Sequence, residues 1–218
     1  MIESKYSYVA IEGIIGAGKT TLATAFQRYF NSALILETFE DNPFLPAFYK
    51  DPQRYAFQVE LNFLAARYHQ LRDKISSPEL FHSLSISDYF IFKSWIFASL
   101  NLREDELLLY RKLFEIISQS LPSPELILYL YVPDHVAKYQ ILQRGRPYEQ
   151  SISEEYLGSI QRAYLDFLKM RPDLKVLLID MDGVNLLDHA VCESFAGLLA
   201  TDWPKGINPI RGKQMVTG

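Results

Sequence analysis

Hydrophobic and polar positions along the chain follow two alternating rhythms. Short runs rich in β-branched, leucine and tyrosine residues fall at 6–12 (YSYVAIE), 33–37 (ALILE), 84–87 (LSIS), 125–132 (ELILYLYV) and 175–180 (KVLLID). Their length and composition predict buried strands. Between them, amphipathic stretches predict helices at about 18–30, 52–75, 89–100, 104–120, 134–143, 153–170 and 186–200. Ser153 stands as N-cap of one of these, with Glu154 and Glu155 in its first turn. Apolar strands separated by helices predict an α/β fold with a parallel sheet and helices on both faces, because strands without a polar side need cover on both. Residues 1–202 read as a single domain. The remainder, 203–218, loses periodicity and predicts an irregular, flexible tail.

The helical stretch 55–71, YAFQVELNFLAARYHQL, carries one apolar stripe of Phe57, Leu61, Leu64, Tyr68 and Leu71. Glu60 and Arg67 fall at its flank, an acid and a base where a core-facing helix has little use for either. Composition narrows what they could serve. The 218 residues are 49% hydrophobic and 22% charged, as for a soluble globular chain. A net charge of −4 provides no global basic field for nucleic acid or an anionic membrane, so phosphate binding must be local. The single Cys192 cannot form an intramolecular disulfide, and the four histidines show no metal-ligand spacing. A reducing cytoplasm fits this usage, and neither a signal peptide nor an apolar run of about 18 residues is expected.

The stretch GIIGAGKTT supplies the local phosphate site. Gly13, Gly18, Lys19 and Thr20 fill the spacing G-x-x-x-x-G-K-[ST] between the first strand and first helix, and Gly16, Ala17 and Thr21 complete the loop. Glycines let successive N–H groups point inward, the helix N-terminus adds partial positive charge, Lys19 reaches the outer phosphates and Thr20 offers its hydroxyl to Mg²⁺. The ligands implied are ATP and Mg²⁺. The base-reading Asn-Lys-x-Asp segment of a GTPase is absent, and phosphotransfer to a small acceptor is the economical reading. Glu37, at the carboxyl end of the second predicted strand, is the candidate base, with Glu40 and Asp41 as competitors.

The runs EGIIGAGKTTLA, ETFEDNPFLPAFYKDPQRYAFQVELNFLAARYHQL, SDYFIFK and QRGRPYE occur in this order over about residues 1–180. Together they resemble the deoxynucleoside kinase family, most closely its bacterial deoxyguanosine/deoxyadenosine kinase branch. The resemblance implies a P-loop NTPase fold with a five-stranded parallel sheet and a mobile lid, usually a homodimer, phosphorylating a deoxynucleoside 5′-hydroxyl with ATP. It implies Glu37 as catalytic base and Asp88 as the acid near the metal, in an acid–arginine pair whose arginine lies near the reacting oxygen. Tyr89 stands where the family carries an arginine, and Lys93 is the nearby cation that could replace it. Arg144 and Arg146 of QRGRPYE are implied as lid contacts to ATP, Arg144 also within the catalytic set. Gln140 stands where the family usually has a further arginine, which Lys138 could offset. Tyr49 and Glu149 occupy the positions that grip the sugar 3′-hydroxyl, and Phe44, Phe48, Phe57 and Phe90 are candidates for the aromatic wall of the base pocket.

Glu60 and Arg67 then acquire a role. Seven residues separate them, two helical turns or roughly 10 Å, long for a direct salt bridge and suited to a flat ligand gripped at both ends. The family commonly has glutamine at the Glu60 position; glutamate only accepts hydrogen bonds. Guanine offers adjacent donors, N1–H and the 2-amino group, and acceptors O6 and N7 for an arginine. The expectation is deoxyguanosine ahead of deoxyadenosine. Its rivals are a thymidylate-type monophosphate kinase, disfavoured by the missing arginine after Asp88, and a weakened nucleotide-binding regulator.

Overall fold

A computed structural model describes residues 2–38, 42–75 and 82–215. The five predicted strands form as β1 (Tyr8–Glu12), β2 (Ser32–Ile35), β3 (Leu84–Ser87), β4 (Leu126–Tyr131) and β5 (Lys175–Asp180). The helices are α1 (Lys19–Phe26), α2 (Leu45–Phe48), α3 (Pro52–Ile75), α4 (Phe92–Asn101), α5 (Glu104–Ser118), α6 (Asp134–Arg144), α7 (Glu154–Lys169) and α8 (His189–Gly197). Every residue of β1 is buried, so helices cover it on both faces. Ser153 caps α7 as its sequence predicts, its Oγ accepting from the Tyr156 N–H at 3.2 Å.

The sheet has six strands, not five. Its order is β2-β3-β1-β4-β5-β6, every neighbouring pair parallel, and the sixth strand, β6 (Gly206–Arg211), comes from the stretch expected to be irregular. GINPIR hides its strand because Gly206, Asn208 and Pro209 interrupt any apolar alternation. It tolerates them because it is an edge strand, where a proline need not donate to a further neighbour. Asn208 compensates with its side chain, donating from Nδ2 to the carbonyls of Pro204 and Gly206 at 3.0 and 3.1 Å.

Connectivity places the site. From β1 the chain passes through α1 to β2 on one side of the sheet; from β3 it passes through α4 and α5 to β4 on the other. The order reverses at β1 and β3, so the loops leaving their carboxyl ends part and open a crevice. The helix α3 lines it, and its buried stripe differs from the expected one. Ala56, Val59, Glu60, Leu64, Arg67 and Leu71 are buried, whereas Phe57, Leu61 and Tyr68 are only half-buried. Glu60 and Arg67 therefore sit within the buried face, not on its flank, at 2% and 3% exposure. Charges at that depth require partners.

Candidate active site

The P-loop is shaped by glycines that no other residue could replace without strain. Gly16 and Gly18 have φ of +85° and +88°, and a Cβ on Gly13 would lie 2.7 Å from the Leu130 carbonyl oxygen. Lys19 extends back over the loop, its Nζ donating to the carbonyls of Gly13 and Ile14 at 2.9 and 2.8 Å. Burial, reinforced by the positive charge of Lys93, lowers its pKa to about 8. Thr20 Oγ1 donates to Asp88 Oδ2 at 2.5 Å, which joins the start of α1 to the end of β3. Gly16, Lys19, Thr20 and Thr21 line a cleft of about 550 Å³ with Glu37, Asp88 and residues of α3; Gly13, Ala17 and Gly18 do not line it.

Glu37 lies two residues beyond β2 at the centre of this cleft, with Glu40 and Asp41 outside the described residues. Arg67 Nε and Nη2 donate to its Oε1 at 2.8 and 2.6 Å, and Lys93 Nζ donates to its Oε2 at 2.6 Å. The Glu37 N–H in turn donates to Asp88 Oδ1 at 2.8 Å. Burial alone would raise the Glu37 carboxyl. The charges of Lys93 and Arg67 outweigh it and hold the group below the usual carboxylate range. Lys93, the cation expected near the reacting centre, is thus brought to Glu37. Tyr89 is not in the cleft; its hydroxyl donates to Gln70 Oε1 at 2.8 Å.

Arg67 was expected to meet the base and is found first on the carboxylate. Its Nη1 also donates to Ser94 Oγ at 2.7 Å, so three of its five N–H groups are used and two remain. At the other end of the stripe, Glu60 Oε1 accepts from Asn101 Nδ2 at 2.7 Å, and Asn101 Oδ1 accepts from the Tyr156 hydroxyl at 2.9 Å. Glu60 Oε2 is buried and finds no partner among the described residues. Desolvation raises the Glu60 pKa to about 7 against the opposing pull of Asn101, Arg67 and Lys93. An acid this deep, with one oxygen bound and the other without a partner among the described residues, is equipped to meet a donor.

The aromatic wall differs in part from expectation. Phe48 lines the cleft, but Phe44, Phe57 and Phe90 do not; Phe63, Phe97, Tyr49 and Tyr156 do. Helical periodicity cannot distinguish Phe57 from Phe63 without knowing which face of α3 turns to the crevice. Asn101 and Tyr156 left no local signal at all, since one ends α4, the other begins α7, and only the fold brings them to Glu60. Glu12 was also missed. Buried at the end of β1, it accepts from the Phe90 N–H at 2.6 Å and the Tyr164 hydroxyl at 2.9 Å, tying the P-loop's base to α7 and the loop before α4.

At the mouth, the segment after α6 turns at Gly145, whose φ is +73°, into a short 3₁₀ turn at Pro147–Glu149. Glu149 accepts from Arg144 Nη2 and, at 3.3 Å, from Arg146 Nη1, so the two arginines expected on ATP and the acid expected on the sugar form one cluster. All three line the cleft, and Tyr49 stacks on Tyr148 beside them at 6.2 Å. Lys138 is occupied elsewhere, donating to the Gln150 and Ile152 carbonyls at 2.8 and 2.6 Å. Among the described residues no group of three or more His, Cys, Asp or Glu forms a metal cage. One hydroxyl and one carboxylate, Thr20 and Asp88, suit a hard cation that keeps most of its waters and binds chiefly to substrate phosphates.

Comparison with known proteins agrees with this fold. The family model described as deoxynucleoside kinase matches residues 9–196. A deoxyguanosine kinase of Bacillus subtilis (strain 168) is 38% identical over 184 residues, covering 83% of this chain and 89% of the relative. A deoxyadenosine kinase of Dictyostelium discoideum is 36% identical, covering 75% and 67%. Among solved structures, a deoxyadenosine kinase from M. mycoides with products dCMP and a flexible dCDP bound superposes with a TM-score of 0.77 at 25% identity, covering 88% of this chain and 98% of that one. Among the described residues, no helix is long and apolar enough to cross a membrane.

Proposed function

The chain belongs to the deoxynucleoside kinase family and phosphorylates deoxynucleosides; from that premise we propose that ATP is the donor and that deoxyguanosine is accepted ahead of deoxyadenosine. The observation that carries the base preference is Glu60 Oε2, a buried carboxylate oxygen without a hydrogen-bond partner among the described residues, on a residue that lines the cleft. Ionised, it accepts guanine N1–H or the 2-amino group, while the two remaining N–H groups of Arg67 serve O6 or N7. Adenine presents an acceptor where guanine presents N1–H, and would leave the buried carboxylate facing a lone pair.

In the transfer, the 5′-oxygen bonds to the γ-phosphorus as the bond to the β–γ bridging oxygen breaks and ADP leaves. Glu37 accepts the hydroxyl's hydrogen bond and takes its proton. Because Arg67 and Lys93 make it a weak base at rest, that proton moves late, when phosphorus–oxygen bonding has already acidified the hydroxyl. Lys19, Arg144 and Arg146 offset the phosphate charge, and Tyr49 with Glu149 holds the 3′-hydroxyl. Thr20 and Asp88 would hold Mg²⁺, which supplies further charge neutralisation when bound. Exposed Leu108, Leu109 and Ile116 on α5 support a homodimer, and the cysteine and membrane readings support a cytoplasmic enzyme.

The test compares kcat/KM on the four deoxynucleosides for the wild type and Glu60→Gln. Wild type should favour deoxyguanosine by roughly tenfold or more. The glutamine variant, able to donate as well as accept, should reverse toward deoxyadenosine. A wild type that favours deoxyadenosine sinks the base-reading.

A further inference from the structure

A carboxyl group reads guanine only while it is ionised, so whatever fixes its protonation fixes the base. Around Glu60 that task falls to neighbours from several elements. The charged and titratable groups facing it are Arg67 on its own helix, Lys93 from α4, Glu37 beyond β2, Tyr49 at the end of α2, Tyr110 from α5 and Tyr156 from α7. The direct side-chain bond comes from a neutral residue, Asn101. An amide is ambiguous, since it could offer Glu60 either its NH₂ or its oxygen. In the structure the Tyr156 hydroxyl donates to Asn101 Oδ1 at 2.9 Å, and Nδ2 is turned to Glu60 Oε1 at 2.7 Å.

We propose that Asn101, oriented by Tyr156, is a positioning residue that holds Glu60 in its acceptor form and thereby sets the choice between guanine and adenine. The inference rests on the purine reading above. An NH₂ group only donates, so it stabilises the ionised carboxylate and leaves Oε2 as a bare acceptor on a residue lining the cleft. Without that donor, the carboxyl keeps its proton at higher pH. Protonated Oε2–H then donates to adenine N1, and the same site takes the other purine. Burial raises Glu60 and the Asn101 bond opposes it, leaving the carboxyl at about 7, so the loss of that one hydrogen bond shifts its state near neutrality.

The experiment measures the ratio of kcat/KM for deoxyguanosine over deoxyadenosine between about pH 6 and 9, with Glu60 titrated by ¹³C NMR on carboxyl-labelled protein. In wild type the ratio should rise with pH and level off as Glu60 ionises. Tyr156→Phe, which keeps the ring, and Asn101→Ala should move the midpoint up by about one unit, lowering the ratio at pH 7 roughly tenfold. Asn101→Asp, which makes two carboxyls share a proton, should move it further. Variants that keep the wild-type midpoint, or that lose both substrates in equal proportion, overturn the inference. A wild type that prefers deoxyadenosine at every pH refutes the guanine reading instead, and the NMR midpoints still decide whether Asn101 and Tyr156 control Glu60.

Discussion

Arg67 and Glu37 meet through two hydrogen bonds to one oxygen: Nε at 2.8 Å and Nη2 at 2.6 Å both reach Glu37 Oε1. An arginine on α3, the helix proposed to bind the nucleoside, is thereby fastened to the candidate base. In the proposed reading, seating of the substrate and readiness of the base share one guanidinium.

Arg67→Met should therefore alter the pH profile as well as affinity. With the guanidinium gone, Glu37 keeps its burial and Lys93 but loses one of the two charges that hold it low, so its pKa rises. The acid limb of kcat/KM should move to higher pH. Removing one partner of a buried pair should also cost about 3 kcal/mol in urea unfolding. Weaker nucleoside binding with an unmoved acid limb would show that Arg67 touches substrate without tuning the base.

Glu60 makes a stability contribution of unusual sign. Its folded pKa of about 7 lies above the ordinary 4.5, so between these values the folded state holds a proton that the unfolded chain has released. That contribution is fully present below 4.5 and is lost as pH rises through 7. Glu60→Gln, neutral throughout, should match the wild-type Tm near pH 4 and exceed it near pH 8. Glu37 acts in the opposite sense, losing its contribution as pH falls below the ordinary carboxylate range, and cancels from the comparison. Equal Tm differences at both pH values would show that Glu60 is not held protonated by burial.

Glycines of the P-loop should differ in what an added methyl costs. At Gly16 a Cβ would sit 2.6 Å from the Ala137 carbonyl oxygen, backbone of α6 that cannot yield cheaply, and φ is +85°. At Gly18, with φ of +88°, it would meet only Leu186 Cδ1 at 2.9 Å, the end of a flexible side chain. Gly16→Ala should lose more than about 3 kcal/mol and Gly18→Ala about 1–2. Chemical denaturation of the two variants measures both. Equal losses would mean that α6 yields to the methyl.

The parts of this site legible in the chain are those whose chemistry is local. The P-loop needs contiguous residues at a strand-to-helix junction, so its spacing identifies it. Glu37 and Asp88 follow strands whose carboxyl ends must converge in a parallel sheet. Arg67, by contrast, lies 30 residues from Glu37, and nothing local reveals that it grips that acid before any base. Asn101 and Tyr156 are 55 residues apart and meet only because α4 packs on α7. The sixth strand escaped because edge pairing tolerates a glycine, an asparagine and a proline that a central strand would reject. Periodicity reveals that a face is buried but not what buries it, and so the stripe of α3 was displaced from its true position.

Lys138 could have been a spare charge for ATP, standing two residues from the neutral Gln140, yet it is spent on backbone. Its Nζ bonds to the carbonyls of Gln150 and Ile152, closing the segment that carries Arg144, Arg146 and Glu149 back onto α6. A cation used this way positions the arginines without touching phosphate. Lys138→Met should raise KM for ATP several-fold and accelerate limited proteolysis within residues 145–152, because a closed loop with fewer ties opens more often. A lysine that contacted phosphate would raise KM without changing cleavage in the unliganded protein. Accelerated proteolysis is the discriminating result, and its absence would return Lys138 to the role of a phosphate contact.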